Sequence, residues 1–137
     1  MDSVQNILQT IGNTPLVRIN KLNPNKNASI YAKVEGFNPT GSIKDRIALS
    51  MVEQAELEGK LTPGKTIIEP TSGNTGVALA MIGSIRGYSV EIVMSEAVSS
   101  ERIQMVKAFG GKVTLTDGKM GTDGAIRKAR ELVSNYP

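Results

Sequence analysis

One stretch decides the fold: residues 66–87 read TIIEPTSGNTGVALAMIGSIRG. The β-branched run at 66–69 predicts a short strand. After a glycine-bearing loop, residues 77–85 are apolar on nearly all sides, which predicts a buried helix closed by Gly87. A strand, a polar loop and a buried helix in this order make up the first part of a βαβ unit.

The same order recurs on both sides of this stretch. Strand patterns begin near residues 66, 90 and 112, and amphipathic helix patterns lie before, between and after them. In the first helix one face carries Ile47, Ala48, Met51, Val52 and Ala55. Repeated βαβ units give a parallel sheet with right-handed crossovers, so we predict an α/β protein with three layers, αβα. Residues 15–19 and 29–34 predict two strands outside this repeating sheet.

Composition removes several kinds of chemistry. The 137 residues include no cysteine and no histidine, which excludes disulfides, thiolate or imidazole metal ligands and histidine-dependent triads. Covalent chemistry would have to use lysine, serine, threonine, tyrosine or a carboxylate. A net charge of +3 with 4% aromatic residues gives little basis for nucleic-acid binding. No signal peptide or apolar run of membrane-spanning length is visible, so we expect a cytoplasmic protein without membrane contact.

The loop between the first repeating strand and the buried helix is a candidate anion site. Its residues Thr71, Ser72, Gly73, Asn74 and Thr75 supply backbone N–H groups, hydroxyls and an amide at the positive end of the helix dipole. Gly73 and Gly76 would let an anion approach the backbone. The alternative is an ordinary capped helix start, because serine, threonine and asparagine are favoured caps. The loop is neither a Rossmann fingerprint nor a P-loop.

A second candidate is Lys44. Ser42 and Asp45 have the spacing of a capping box, which places Lys44 in the first helical turn. The helix dipole and burial would both favour the neutral amine there, which can attack a carbonyl carbon. The alternative is an exposed lysine offset by Asp45. By its pattern, the run from Gly12 to Pro15 predicts no more than a turn before a strand.

Several segments together resemble the cysteine synthase (O-acetylserine sulfhydrylase) family, pyridoxal-phosphate enzymes related to the tryptophan synthase β subunit. The resemblance covers essentially the whole chain, in order. The segments that carry it are GNTPLVRIN (12–20), KVEGFNPTGSIKDR (33–46), EPTSGNTGVALA (69–80), MSEAVSSERIQMVKAFGGKVTLTD (94–117) and GTDGAIRKARELV (121–133).

The resemblance implies roles for residues in two of these segments. Lys44 matches the lysine that holds pyridoxal 5'-phosphate as a Schiff base. Thr71, Ser72, Gly73, Asn74 and Thr75 match the loop that grips the substrate α-carboxylate. Asn74 also matches the asparagine that hydrogen-bonds the cofactor's ring hydroxyl. The implied transferase reaction replaces the acetate of O-acetylserine with sulfide to give L-cysteine, with Lys44 as general base and the cofactor as electron sink. The family also implies a homodimer and a partner, the C-terminal tail of serine acetyltransferase.

The chain departs from the family pattern in length. Three family features have no counterpart here: a strand with a glutamine near the substrate carboxylate, a glycine/threonine-rich cup for the cofactor phosphate, and a serine-type partner for the pyridine nitrogen. We therefore expect an N-terminal piece of such an enzyme. Residues 1–40 would begin the large cofactor-binding domain, and residues 41–137 would form the small α/β domain, incomplete at its C-terminal end. Its sheet would keep an exposed edge.

Three other interpretations of the sequence stay open. A cystathionine β-synthase-type enzyme would use serine and homocysteine, although the absence of Cys and His argues against a haem-bearing form. A non-catalytic module could bind a carboxylate or a peptide C-terminus through the 71–76 loop. A structural or nucleic-acid-binding fragment has only the basic pI of about 9.3 in its favour.

Overall fold

The computed structural model describes residues 3–136. The regular elements in this range, in chain order, are β1 (Leu16–Arg18), β2 (Tyr31–Lys33), α1 (Lys44–Leu57), β3 (Thr66–Pro70), α2 (Asn74–Arg86), β4 (Ser89–Ser95), α3 (Ser100–Ala108), β5 (Lys112–Thr116) and α4 (Gly121–Val133). Short 3₁₀ turns lie at Ile7–Thr10, Glu35–Phe37 and Gly118–Met120.

The repeating strands form one parallel sheet in the order β3-β4-β5, which confirms the predicted α/β fold. Strand β4 is in the centre, and β3 and β5 each lack a second strand partner among the residues described. The predicted exposed edge is therefore present on both sides of this sheet. Strands β1 and β2 form a separate antiparallel pair, as their position outside the repeat predicted.

The alternation of side chains along β4 creates three layers. Val90, Ile92 and Met94 enter the larger apolar core, to which α1, α2 and α3 all contribute buried residues. Val93 points to the opposite face and packs with Ala125 and Ala129 of α4. Successive residues of a strand face opposite sides of a sheet, so a central strand must be apolar on both faces. Helices on both faces give the αβα sandwich.

Two glycines let α2 approach the sheet closely. A Cβ on Gly76 would lie 3.0 Å from Ile92 Cγ2 and 2.9 Å from Thr71 Cγ2. A Cβ on Gly83 would lie 2.3 Å from Val90 Cγ2. Real Cβ atoms do not tolerate such separations, so the helix lies at a distance that only glycine permits at these positions.

Only part of the predicted apolar face of α1 is buried. Ala48 and Val52 are in the core, whereas Ile47 is 43% exposed and Met51 is 45% exposed. Helix α1 packs mainly on α2 rather than on the sheet, and contact with a single helix covers a narrower stripe. Met51 lies along an apolar groove of about 260 Å³ beside β3, together with Leu61 and Ile67.

A buried carboxylate lies on the α4 side of the sheet. Glu91 is only 1% exposed and accepts hydrogen bonds from Thr114 Oγ1 at 2.5 Å, Tyr136 Oη at 2.9 Å and Lys112 Nζ at 3.1 Å. Burial alone would raise the pKa of Glu91, but the three donors together lower it. Tyr136, just beyond α4, is thereby fastened to the central strand.

No helix among the described residues has the length and apolar character required to cross a membrane.

We expect Gly83→Ala to destabilise the chain. Alanine would gain up to about 1 kcal/mol in helix propensity, but the buried methyl group would overpack against Val90, which costs typically about 1–3 kcal/mol. A Cβ 2.3 Å from Val90 Cγ2 and 3.2 Å from Tyr88 O puts the cost at the upper end of that range, so urea unfolding followed by circular dichroism should give a net loss of roughly 2 kcal/mol. Ser84→Ala, an exposed neighbour on the same helix, is the matched control and should stay within about 0.5 kcal/mol. An unchanged or raised unfolding midpoint for Gly83→Ala would contradict the close packing of α2.

Candidate active site

The polar loop lies at the carboxyl end of β3, where parallel α/β sheets place their ligand sites. Thr71 N–H donates to Val93 O at 3.0 Å, which ties the start of the loop to β4. Gly73 N–H donates to Thr71 Oγ1 at 3.2 Å, and Gly73 is the N-cap residue of α2. No side chain caps this helix. The arrangement therefore differs from the ordinary capped start that was the alternative prediction.

The loop presents donors that the chain itself does not use. Among residues 3–136, the backbone N–H groups of Ser72, Asn74 and Thr75 have no protein acceptor, and their side chains make no hydrogen bond. N–H groups in the first turn of a helix point outward along the axis, at the positive end of the dipole. Such a set of unpaired donors is suited to a carboxylate or another small anion.

The two glycines of the loop have different surroundings. A Cβ on Gly73 would have only Thr71 Oγ1 nearby, at 3.8 Å, so the space over this residue is open to a ligand. Gly76 is buried against Ile92. The expectation that both glycines admit an anion therefore fits Gly73, whereas Gly76 serves the packing of α2 on the sheet.

Lys44 is the first residue of α1 and so lies in the first helical turn, as predicted. It is exposed. No hydrogen bond or ion pair within residues 3–136 engages its amine. The burial that the sequence argument invoked is therefore not provided by the described residues. The described residues provide a primary amine without a protein partner, at the start of a helix.

The predicted capping box does not form. Ser42 Oγ accepts from Lys44 N–H at 3.1 Å instead of from Asp45 N–H as the box requires, and Asp45 N–H donates to the backbone carbonyl Ser42 O at 3.3 Å. The Asp45 carboxylate, which is fully buried, accepts instead from the N–H of Thr40 at 2.7 Å and from the Thr40 hydroxyl. Asp45 therefore fixes the loop that leads into α1 rather than closing a box with Ser42.

Ion pairs join the helix that carries Lys44 to the helix that follows the anion loop. Arg86, at the end of α2, pairs with Glu53 and Glu56 in the second half of α1, each at 3.3 Å. Helices α1 and α2 also pack on each other, so the helix that begins with Lys44 and the helix that begins with Asn74 are neighbours.

One contact of the loop had no signal in the sequence. Arg102 of α3 donates from Nη1 to Ser72 O at 2.9 Å. The two residues are thirty positions apart, and no local pattern links them. Beside the loop is a cavity of about 190 Å³ between the ends of β3 and β4 and the start of α4. Thr71 and Ser72 line it, and Lys44 is not among its lining residues.

The start of α1 is also held by an ion pair. Arg46 Nε lies 2.7 Å from Glu35 Oε2, and Arg46 Nη2 donates to Glu35 Oε1 at 3.0 Å, a bidentate arrangement. The hydrogen bond from Arg46 is the main reason that the pKa of Glu35 is lowered from 4.5 to about 2. Further hydrogen bonds from Asn38 and Thr14 act in the same direction, while burial opposes them.

The three-layer α/β fold has a free amine at the start of one helix and unpaired donors at the start of its neighbour, and this fold class places small-molecule sites at the carboxyl ends of its strands. The chain belongs to the pyridoxal-phosphate dependent enzyme family, whose sequence profile matches residues 7–137.

Relatives and solved structures agree with this assignment. The chain is 52% identical over 136 residues to a cysteine synthase of Aquifex aeolicus, covering 97% of this chain and 42% of that protein. It superimposes on the cysteine synthase of Entamoeba histolytica with a TM-score of 0.93 at 44% identity, covering 98% of this chain and 41% of that one. For the O-acetylserine dependent cystathionine β-synthase of Helicobacter pylori the TM-score is 0.90 at 37% identity, with coverage of 100% and 45%. The chain thus spans less than half the length of these proteins.

The residues present fit part of what pyridoxal phosphate requires. A primary amine without a protein partner can bind the aldehyde, and the loop donors can bind the carboxylate of an amino acid attached to it. No described residues form a glycine/threonine-rich cup for the phosphate apart from the loop already assigned to the carboxylate.

The acid stability of the chain should depend on Glu35. The pKa of Glu35 is lowered by folding, so its contribution is complete above about pH 4.5 and is lost as the pH falls towards about 2. In Glu35→Gln the free energy of unfolding should therefore fall less over this interval than in the unmodified chain. Urea midpoints measured at a series of pH values would show it. The control is Glu131→Gln, an exposed carboxylate paired with Lys128 on α4. Equal slopes for the unmodified chain and Glu35→Gln would contradict the prediction.

Proposed function

We propose that this chain is the N-terminal portion of a cysteine synthase, which uses pyridoxal 5'-phosphate to replace the acetate of O-acetylserine with sulfide and release L-cysteine. The complete active site would require the part of the protein that its relatives have in addition. Residues 1–40 would belong to the large cofactor-binding domain and residues 41–137 to the small α/β domain. The separate pairing of β1 with β2 supports this division.

The observation that carries the proposal is the pairing of a free amine with unused donors. Lys44 has no protein partner for its amine, and Ser72, Asn74 and Thr75 have no protein acceptors for their backbone N–H groups. The N–H groups in the first turn of any helix have no intrahelical partner, and here no capping side chain or other protein group takes them. Groups left available at the starts of two neighbouring helices are what a bound amino acid, with its carboxylate, would engage.

When bound, pyridoxal phosphate supplies an electron sink next to the substrate Cα. Lys44 would hold the cofactor through its amine, and Asn74 would hydrogen-bond the cofactor's ring hydroxyl. The backbone N–H groups of Ser72, Asn74 and Thr75, with the loop hydroxyls, would hold the substrate carboxylate and so orient the Cα–H bond. The Lys44 amine would also serve as the general base that accepts the Cα proton. Gly73, with open space over it, would let the carboxylate approach the backbone.

Other expectations remain predictions: a homodimer, a cytoplasmic location, and binding of the C-terminal tail of serine acetyltransferase. The anion loop supports the last of these, because a peptide C-terminus presents the same carboxylate as the substrate.

A second candidate function is a cystathionine β-synthase-type reaction. It is supported by the close superposition on the Helicobacter pylori protein, whose name specifies O-acetylserine as the donor. The two reactions share the amine and the carboxylate loop and differ in the nucleophile, which is sulfide in one and homocysteine in the other.

We expect Lys44 to be the residue that pyridoxal phosphate modifies. The test uses a fusion of this chain to the part of the Aquifex aeolicus relative that follows the matched region, hereafter the fusion. After incubation with pyridoxal phosphate and borohydride reduction, peptide mapping should locate the label at Lys44, and Lys44→Ala should abolish it. The matched control is Lys107→Ala, an exposed lysine of α3, which should leave the label unchanged. A fusion labelled elsewhere, or labelled equally in Lys44→Ala, would refute the role of Lys44.

The 137-residue chain alone should label weakly or without specificity, because it lacks a phosphate cup. Stoichiometric labelling of Lys44 in this chain would refute the requirement for the additional part.

Calorimetry with O-acetylserine and with a peptide of acidic C-terminus would separate an enzyme from a carboxylate-binding module, since binding without any Schiff base favours the module.

The acceptor distinguishes the two enzymatic candidates. With O-acetylserine as donor, the fusion should form cysteine from sulfide faster than cystathionine from homocysteine, measured as kcat/KM for each acceptor. A higher kcat/KM with homocysteine would favour the second candidate. Lys44→Ala should abolish both reactions, which makes it the blank for either assay.

A further inference from the structure

The turn at residues 12–14, predicted to be no more than a turn before a strand, is bonded to the helix start that carries Lys44. Arg46 Nη2 donates to Gly12 O at 2.8 Å and to Thr14 Oγ1 at 3.2 Å. Thr14 Oγ1 in turn donates to Glu35 Oε1 at 3.0 Å. Three segments that are far apart in sequence therefore meet at the guanidinium of Arg46.

Asn38 closes the hydrogen bonds into a ring. Its Nδ2 donates to Glu35 Oε2 at 2.9 Å, and its Oδ1 accepts from Gly12 N–H at 2.9 Å. In this ring each residue is hydrogen-bonded to the next: Gly12 to Arg46, Arg46 to Glu35, Glu35 to Asn38, and Asn38 to Gly12. Asn38 is buried, and a Cβ on Gly12 would lie 2.7 Å from Arg46 Nη1. The ring therefore requires glycine at this turn, where φ is +86°.

The ring holds Arg46, which is two positions after Lys44. Asp45, which lies between these two residues, is fully buried and hydrogen-bonded to Thr40. Successive residues of a helix project about 100° apart, so two anchored neighbours fix the rotation of the first turn about the helix axis. Ile43, the N-cap residue of α1, has no capping side chain, so the first turn is held by Ser42 Oγ, which accepts from Lys44 N–H, and by the anchored Asp45 and Arg46. The backbone of Lys44 is thus fixed while its amine is left free.

We propose that Arg46, held by Glu35 and the Gly12 turn, is a positioning residue for the Lys44 amine. It fixes the first turn of α1 so that the amine meets the cofactor aldehyde in one geometry and later the substrate Cα proton. The inference rests on the proposed role of Lys44. The arrangement depends on the planar guanidinium group, which makes two parallel hydrogen bonds to Glu35. Lysine therefore cannot replace Arg46, although it preserves the charge.

The first test uses this chain and needs no cofactor. In Arg46→Lys, hydrogen exchange of the amides at 40–46 should become about tenfold faster, while the amides of α2 and β4 keep their protection. Arg130→Lys, on the exposed side of α4, is the matched control and should change neither region. Unchanged exchange at 40–46 would overturn the inference. Equal acceleration throughout the chain would also overturn it, since Arg46 would then only support the fold.

Gly12→Ala is a second variant that leaves Arg46 intact. Its methyl group would displace the guanidinium from Glu35, and the positive φ adds strain at the turn itself. The same local acceleration of exchange at 40–46 is expected. The Gly12→Ala variant keeps the inference testable if Arg46→Lys fails to fold.

The second test uses the fusion. Arg46→Lys should lower the rate of borohydride-trapped labelling at Lys44 roughly tenfold, and kcat should fall more than KM for O-acetylserine changes, because a misplaced amine affects the proton transfer rather than binding. In Arg46→Ala, added ethylguanidinium should restore part of the labelling. Labelling of Arg46→Lys at the unmodified rate would overturn the inference. If the unmodified fusion is not labelled at Lys44, the proposed function fails, and the exchange experiment still decides whether Arg46 fixes the helix start.

Discussion

The contact between α2 and the central strand is the constraint on which the other parts depend. Gly76 and Gly83 carry no side chain that would hold α2 away from β4, so the helix lies close to the sheet, and the connection between the parallel strands β3 and β4 puts its N-terminus at their carboxyl end. Helix α1 then packs on α2, and the Arg86 ion pairs join the two helices. The helix that begins with the candidate amine and the helix that follows the candidate anion loop both depend on this close approach.

The larger part of the fold could be predicted because it depends on local periodicity. The apolar residues of α2 and the alternation in β4 are sufficient to identify a buried helix and a central strand, and Gly87 marks the helix end by its positive φ. Burial of α1 was predicted less well. Its apolar face is wider than the stripe that α2 covers, and a sequence pattern does not reveal what a helix packs against.

The candidate site was predicted in its residues but not in its bonding. Spacing identified Ser42 and Asp45 as a capping pair, yet Asp45 is bonded to Thr40, because a carboxylate near a tight turn has several N–H groups within reach. The contacts of Arg46 and Arg102 span eleven to thirty-four positions and depend on where the elements pack. No short-range rule encodes such contacts. The network around Glu91 was not predicted either, because its donors, Thr114 and Tyr136, lie twenty-three and forty-five positions away.

The hydrogen bond from Tyr136 to Glu91 makes Tyr136 more important than its exposure suggests. Helix α4 ends at Val133, so Tyr136 belongs to none of the described helices and strands. Its hydroxyl is nevertheless one of the three donors that satisfy a carboxylate which is 1% exposed. A buried anion that loses a partner keeps its full desolvation cost. The centre of the sheet thus depends on a residue that lies outside all the regular elements described.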